Sequence, residues 1–333
     1  MNRVHAFDRI RLIAISCVIL LHTVSGVSDT MPFQMTFTQY RVYKCIEALC
    51  ACGVPFFLMI SGALMLDRRR TLSAKELWKK YIRRMLLTIL LFGGLFSLME
   101  RVTQAGALTP GMIPLALIDA LRGRTWAHMW YPYLMVFIYL LTPFLRYFVL
   151  HASSVLWKAM LLLLFLLLSV IPFLLQLSGH GGLPRPLNMT VFVFYYLAGF
   201  YAQTVLQHIG KQRTVYLLCI LAGLVIVYNF VRFRNAPMAY DSPVIVVWSV
   251  CLFLILRTVE KPCVVCSRIA PYVFGMYLTH AVLINVLYKM LHVTPLALGG
   301  FVLIPVFFAA AFVFAFAASF VLRMIPPLRR YMI

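Results

Sequence analysis

The sequence predicts an all-α fold, a polytopic membrane helical bundle of about ten transmembrane helices with both termini in the cytoplasm. Of the 333 residues, 63% are hydrophobic and only 12% are charged, and the mean hydropathy is +0.92. Apolar runs of about 20 residues, the length that crosses a hydrocarbon core, recur along the whole chain. Lysine and arginine are concentrated in alternate loops. No soluble domain separates from this pattern, so residues 1–333 are expected to form a single integral membrane domain.

Ten apolar runs are expected to span the membrane. They cover residues 10–27, 45–66, 85–99, 130–150, 155–177, 188–206, 214–231, 242–256, 270–291 and 296–322. The apolar piece Met112–Leu121, between the third and fourth runs, is too short to span. Ser73-Ala-Lys-Glu76 has the spacing of a capping box and predicts the start of a basic helix that continues into the third span.

The positive charges set the predicted orientation. The termini and the even-numbered loops, with their flanking turns, hold 21 of the 30 lysines and arginines. The positive-inside rule therefore places both termini in the cytoplasm. A net charge of +21 would suggest nucleic acid in a soluble chain. Here topology accounts for it, so we expect contact with membrane lipids and no nucleic-acid partner.

Two histidines lie deep in predicted spans. His22 follows Arg11 by eleven residues, almost three helical turns, so both side chains share one face about 16 Å apart along the axis. Ionisable groups within a span are costly and indicate function. His280 lies at a similar depth in the ninth span, and the two imidazoles could converge on one site. The alternative is that each histidine only bonds a neighbouring helix.

Arginines mark the predicted cytoplasmic end of the bundle. Asp8 and Arg11 have the i,i+3 spacing of an interacting helical pair. Arg83 and Arg84 open the third span, and guanidinium groups suit phosphate because they bind it through two nitrogens. These residues predict a site for a phosphorylated cytoplasmic ligand. The alternatives are an interfacial ion pair with a snorkelling arginine, and ordinary positive-inside charge.

Two further segments are candidates for substrate contacts. Ser61 and Gly62 lie in the second span after Pro55, where small residues allow close helix approach and the site could equally serve packing alone. Trp130 and Tyr131 lie at the outer end of the fourth span and could stack against a sugar or belong to an aromatic belt.

The cysteines give little indication of metal binding. Cys263-Val-Val-Cys266 is a single CxxC motif in a predicted cytoplasmic loop, without the second pair that a zinc site needs. We expect reduced thiols there and no metal.

Five segments in order resemble the membrane-bound acyltransferase-3 family. They are Phe7-Asp8-x-x-Arg11-x-x-Ala14 with the Arg-x10-His spacing to His22; Pro55 to Ser61-Gly62; the basic entry to the third span; His128-Met-Trp130-Tyr131 with Tyr139-Leu-Leu-Thr-Pro143; and Tyr272 to Tyr277 and His280. The resemblance covers most of the chain.

The resemblance implies a bacterial inner-membrane enzyme that moves an acyl group, usually acetyl, from cytoplasmic acyl-CoA to a hydroxyl of a glycan or its lipid-linked precursor. The family's active residues correspond to Arg11, His22 and either Arg83 or Arg84. The chain lacks the tryptophan-serine-leucine and glutamate signature of the large O-antigen-modifying enzymes. It looks more like the short enterobacterial common antigen O-acetyltransferase type.

On this interpretation the arginines bind the phosphates of acetyl-CoA, with Asp8 orienting Arg11. His22 is the expected general base, or alternatively forms an acyl-imidazole. His280 or Tyr277 holds the oxyanion or orients His22. Trp130, Tyr131 and Ser61 are the expected acceptor contacts.

Two other functions fit the same composition. A flippase or exporter of lipid-linked sugars would also need many spans, intramembrane histidines and cytoplasmic arginines. The lack of a clear internal repeat favours the enzyme. A membrane sensor or scaffold would leave the stripe formed by Arg11 and His22 unexplained.

Overall fold

The structure is a computed structural model, and it describes residues 4–179, 190–204, 212–232, 238–259 and 261–332. These residues form helices and connecting turns, with no β-strand among them. We number the helices α1 to α12: α1 (His5–Ser28), α2 (Phe37–Met65), α3 (Ala74–Ala105), α4 (Met112–Leu121), α5 (Trp130–His151), α6 (Ser154–Leu177), α7 (Val191–Thr204), α8 (Arg213–Arg232), α9 (Pro243–Arg257), α10 (Val264–Met290), α11 (Ile304–Met324) and α12 (Pro326–Tyr331).

In the described part of the chain, eight helices are long and apolar enough to cross a membrane. They correspond to eight of the ten predicted spans. The other two predicted spans coincide with the shorter apolar helices α7 and α9. The chain is therefore a polytopic helical membrane protein, as predicted. Helix α4 is a separate helix of ten residues, in agreement with its predicted shortness.

The chain divides into two compact units. Unit 1 comprises Met1–Asp67 and Ala152–Ser319, and unit 2 comprises Arg68–His151 and Phe320–Ile333. Unit 1 thus holds α1, α2, α6 to α10 and most of α11, whereas unit 2 holds α3, α4, α5, the end of α11 and α12.

In unit 1, α1 packs against α2 and α10, and the second half of α2 packs against α7. The contact between α2 and α7 depends on two glycines. A Cβ atom on Gly62 would lie 1.7 Å from the carbonyl oxygen of Tyr196, and one on Gly199 would lie 1.9 Å from that of Met59. The two backbones therefore touch, which only glycine allows at these positions. Tyr195, Tyr196 and Phe56 fill the core beside this crossing.

In unit 2, α3 packs against α4 and α5. Helix α3 begins as the sequence predicts, because the Ser73 hydroxyl accepts a hydrogen bond from the Glu76 amide at 3.1 Å. Its helix is wider than an α-helix over Leu77–Ile82 and again over Ile89–Gly93, where the backbone takes π-helical turns. Such turns inside α-helices are frequent at functional sites. The first of them ends directly before Arg83.

Candidate active site

The two deep histidines of unit 1 come together. The imidazole rings of His22 on α1 and His280 on α10 have centroids 5.1 Å apart and planes tilted by 42°. His280 is completely buried, and His22 is half-buried. The convergence predicted from their similar depth is confirmed. When two imidazoles are in contact, one can accept a proton while the other stabilises the positive charge that results.

A backbone carbonyl fixes the orientation of His280. Its Nδ1 lies 2.6 Å from the carbonyl oxygen of Tyr277, one helical turn earlier. Because a carbonyl oxygen only accepts, Nδ1 must carry a proton, so in the neutral ring Nε2 carries the lone pair. Tyr277 is buried, and its ring centroid lies 5.8 Å from that of His280. Tyr277 therefore orients His280 through its main chain, whatever its hydroxyl contributes.

Asp8 and Arg11 form the ion pair that their spacing predicts. Arg11 donates to Asp8 Oδ1 at 3.0 Å, and the Ser267 hydroxyl on α10 donates to Asp8 Oδ2 at 3.2 Å. Asp8 is buried in the first turn of α1, where the helix dipole favours a negative charge. The Arg11 side chain is 30% exposed. A fixed carboxylate thus holds a guanidinium that remains accessible to a ligand.

A further arginine of unit 1 lies close to this pair, and sequence reasoning did not single it out. Arg257, at the end of α9, places its guanidinium 4.7 Å from the centroid of the Phe7 ring. Arg9 donates to the carbonyl oxygens of Val259 and Lys261 at 2.7 and 2.6 Å, so the segment after α9 is tied to the start of α1. The only signal in the sequence was the position of Arg257 at a predicted cytoplasmic end.

Ser61 lies elsewhere in unit 1, next to Gly62 at the crossing of α2 with α7. Its side chain is half-buried. The residue that the close approach of α2 and α7 requires here is Gly62, whose backbone contacts that of Tyr196.

In unit 2, the structure separates the two arginines that open the third span. Arg83 is exposed, and its guanidinium lies 4.9 Å from the centroid of the Tyr331 ring. Arg84 is half-buried and donates to the carbonyl oxygen of Met332 at 2.6 Å. Tyr81 and Tyr139, whose rings are 5.5 Å apart, and Arg323 lie near Arg84. Arg84 therefore lies in a polar interior and Arg83 on the surface.

Trp130 and Tyr131 begin α5 in unit 2. Their rings meet edge to face with centroids 6.3 Å apart. Tyr131 is buried and Trp130 is half-buried, so Trp130 has the more exposed ring of the two.

The sequence model of the acyltransferase-3 family, which describes an acyltransferase domain, matches residues 4–324 of the chain. The chain belongs to the acyltransferase-3 family. It is therefore a multi-pass membrane acyltransferase, as the resemblance implied. No curated protein and no solved structure matches the chain.

The acyltransferase also has an aromatic cluster in unit 2 that sequence reasoning missed. Phe96 and Trp126 stack with centroids 4.5 Å apart and planes 4° from parallel, and the buried His128 lies 5.3 Å from Phe96. The Trp126 indole donates to Glu100 at 3.3 Å. The residues of this aromatic cluster come from α3 and from the segment before α5, so only tertiary packing brings them together.

The cysteines of the CxxC motif depart from the expectation. Cys263 and Cys266 of the acyltransferase are joined by a disulfide bond at the start of α10, so the expected reduced thiols are not what the structure contains. Within the described ranges, the structure has no group of three or more His, Cys, Asp or Glu side chains that could hold a metal ion.

Proposed function

We propose that this acyltransferase is an O-acetyltransferase of the bacterial inner membrane. It takes an acetyl group from acetyl-CoA in the cytoplasm and places it on a hydroxyl of a cell-surface glycan or its lipid-linked precursor. The observation that carries the proposal is the contact between His22 and His280, three helical turns along α1 from the Arg11–Asp8 ion pair. The motif formed by Trp130, Tyr131 and the segment Tyr139 to Pro143 supports the short enterobacterial common antigen type.

The donor end of unit 1 is the Asp8–Arg11 pair. Arg11 would bind a phosphate of acetyl-CoA through charge-assisted hydrogen bonds. Asp8 keeps the guanidinium in place because a second donor, Ser267, holds the carboxylate from the other side. Within unit 2, Arg84 is the stronger candidate for a donor contact, since it lies in a polar interior and the neighbouring Arg83 is exposed.

The histidine pair performs the transfer. His22 accepts the proton of the acceptor hydroxyl while the oxygen attacks the thioester carbonyl. The carbon–sulfur bond then breaks, and the proton passes to the departing thiolate, giving the ester and CoA. His280 or Tyr277 stabilises the oxyanion or holds His22 in position. In the covalent alternative, an imidazole nitrogen of His22 attacks the thioester carbonyl, and CoA leaves as its thiol, taking the ring proton. The acceptor hydroxyl then attacks the acyl-imidazole, and the released imidazole takes up the hydroxyl proton as the ester forms.

The experiment uses the whole protein reconstituted in lipid vesicles with acetyl-CoA labelled in the acetyl group. The acceptor is the glycan fraction from cells that lack the protein. We expect label in the glycan with wild-type protein and none with empty vesicles. Mass spectrometry of surface glycans should show one acetyl increment lost in the deletion strain. Movement of lipid-linked saccharide across the vesicle membrane without label transfer would instead establish transport and overturn the proposal.

A further inference from the structure

Unit 1 has a second group of charged side chains, at the end of α1 opposite to Arg11. Lys44 on α2 donates to Asp29, which directly follows α1, and to Glu47 at 2.9 Å. Ser28 donates to Glu47. We call these four residues the Lys44 cluster.

The Lys44 cluster continues the stripe of α1 that carries the candidate catalytic residues. Asp29 follows His22 by seven residues, which is two helical turns and about 10 Å along the axis. Seven residues also return nearly to the same face of a helix, as the eleven residues from Arg11 to His22 do. Arg11, His22 and Asp29 therefore lie along one line. The histidine pair separates the donor end of that line from the Lys44 cluster.

The burial of charged side chains in the Lys44 cluster indicates a role beyond joining α1 to α2. The side chains of Lys44 and Glu47 are only 16% and 17% exposed, whereas Asp29 is 61% exposed. Taking charges out of water is costly, and apolar side chains would join α1 to α2 at least as well. Moreover, Lys44 lies at the end of the helices that the predicted orientation places outside, so the positive-inside rule does not account for it.

An aromatic ring adjoins the cluster. Tyr40 lies one turn before Lys44 on α2, and the Lys44 ammonium is 5.8 Å from the centroid of its half-buried ring. Carboxylates accept hydrogen bonds from the hydroxyl groups of a ligand, and an ammonium donates hydrogen bonds to such hydroxyl groups. An aromatic face packs against apolar C–H surface. This combination suits a polyhydroxylated ligand.

We propose that the Lys44 cluster and Tyr40 form the site that binds the saccharide acceptor and holds it for reaction at the histidines. The inference rests on the proposed function, since it locates the site that binds the acceptor approaching His22. Hydroxyl groups of one part of the saccharide bind Asp29, Lys44 and Glu47, and the reacting hydroxyl extends about two helical turns to the histidines. The Lys44 cluster and Tyr40 position the acceptor and take no part in the bond changes.

The test measures both Michaelis constants of the reconstituted protein, with the glycan fraction from deletion cells as acceptor and acetyl-CoA as donor. Losing a hydrogen bond to a charged group weakens binding about tenfold or more, so Asp29→Asn and Glu47→Gln should raise the KM for the glycan by about that factor. The KM for acetyl-CoA should stay within about twofold, because these residues lie far from the donor end.

Lys44 needs variants that separate binding from folding. Lys44→Met alone leaves two carboxylates facing each other, so the double variant Lys44→Met with Glu47→Met replaces the ion pair by apolar side chains and should fold. It should raise the KM for the glycan as the single substitutions do. Lys44→Arg keeps the positive charge, so it should raise the KM for the glycan less than the double variant does. Lys158→Met and Asp241→Asn remove the same charges elsewhere in unit 1 and should change neither constant.

The outcomes separate the two proposals. If wild-type protein labels the glycan but the folded Lys44 cluster variants keep its KM, the acceptor site lies elsewhere and the inference is wrong. The inference also fails if the wild-type protein labels a lipid or an amine, although acyl transfer would then stand. If wild-type protein transfers no label to any acceptor, the proposed function itself fails.

Discussion

His22 and His280 meet ring to ring, with centroids 5.1 Å apart, although one belongs to the first helix and the other to the tenth. His280 is fixed by its bond to the Tyr277 carbonyl, so the position of one ring is set before any substrate arrives. His22 is half-buried, so it is the more accessible of the two rings. This difference in accessibility supports the proposal that His22 is the base and His280 its support.

Removal of His22 should abolish most of the transfer. A positioned general base contributes about 10² to 10⁴-fold, so His22→Ala should lower kcat by that range. His280→Ala should lower kcat less, because it removes the support and leaves the base. Initial rates of CoA release in vesicles would measure both. His151→Ala, which removes an exposed histidine of unit 2, is the control. Full activity of His22→Ala would exclude His22 as the base.

The Asp8 carboxylate should affect donor binding through Arg11. Asp8→Asn removes the charge that holds the guanidinium, and we expect the KM for acetyl-CoA to rise about threefold to tenfold with little change in the KM for the acceptor. Adding Arg11→Gln to Asp8→Asn should then cost less than it does in wild-type protein, because the two residues act together. Glu76→Gln alters another carboxylate paired with an arginine, Arg70, and should leave donor binding unchanged. Additive effects of Asp8 and Arg11 would contradict the positioning role.

Arg84 should matter more than Arg83. The two arginines are adjacent in sequence, so the pair Arg84→Gln and Arg83→Gln forms a matched comparison. We expect Arg84→Gln to raise the KM for acetyl-CoA about tenfold or more, and Arg83→Gln to raise it less than twofold. Arg84→Lys keeps the charge without the planar fork and should recover only part of the loss. The assignment would be reversed if Arg83→Gln raised the KM for acetyl-CoA more than Arg84→Gln does.

The glycine at the crossing of α2 with α7 should not tolerate a methyl group. Gly62→Ala places a Cβ atom against the Tyr196 backbone, which cannot move aside as a side chain would, so we expect a loss of about 1–3 kcal/mol or more in stability. Gly111→Ala, before α4, meets no atom within 4 Å and should be neutral. Thermal unfolding of the two variants in detergent would show the difference. Equal melting temperatures would mean that the helices can separate there at little cost.

Local patterns account for what the sequence predicted well. Hydropathy depends on each segment alone, so it located eight long helices and the shorter helices α7 and α9. The i,i+3 spacing of Asp8 and Arg11 and the capping pattern of Ser73 and Glu76 also act within one turn, and both interactions are present. Depth within a span was enough to suggest that His22 and His280 meet, since each lies at a similar distance from the start of its helix.

Contacts between distant segments were decided by tertiary packing alone. Nothing local in the sequence relates Asp29 to Lys44, Ser267 to Asp8, or Phe96 to Trp126, because each pair is joined by helices that pack from separate parts of the chain. The choice between Arg83 and Arg84 was open for the same reason. Neighbours in sequence on one helix point about 100° apart, and only the packing around α3 determines which of the two arginines is the less exposed. The sequence alone thus determined a polytopic helical membrane protein with two histidines at similar depth, whereas the packing decided which side chains lie next to one another.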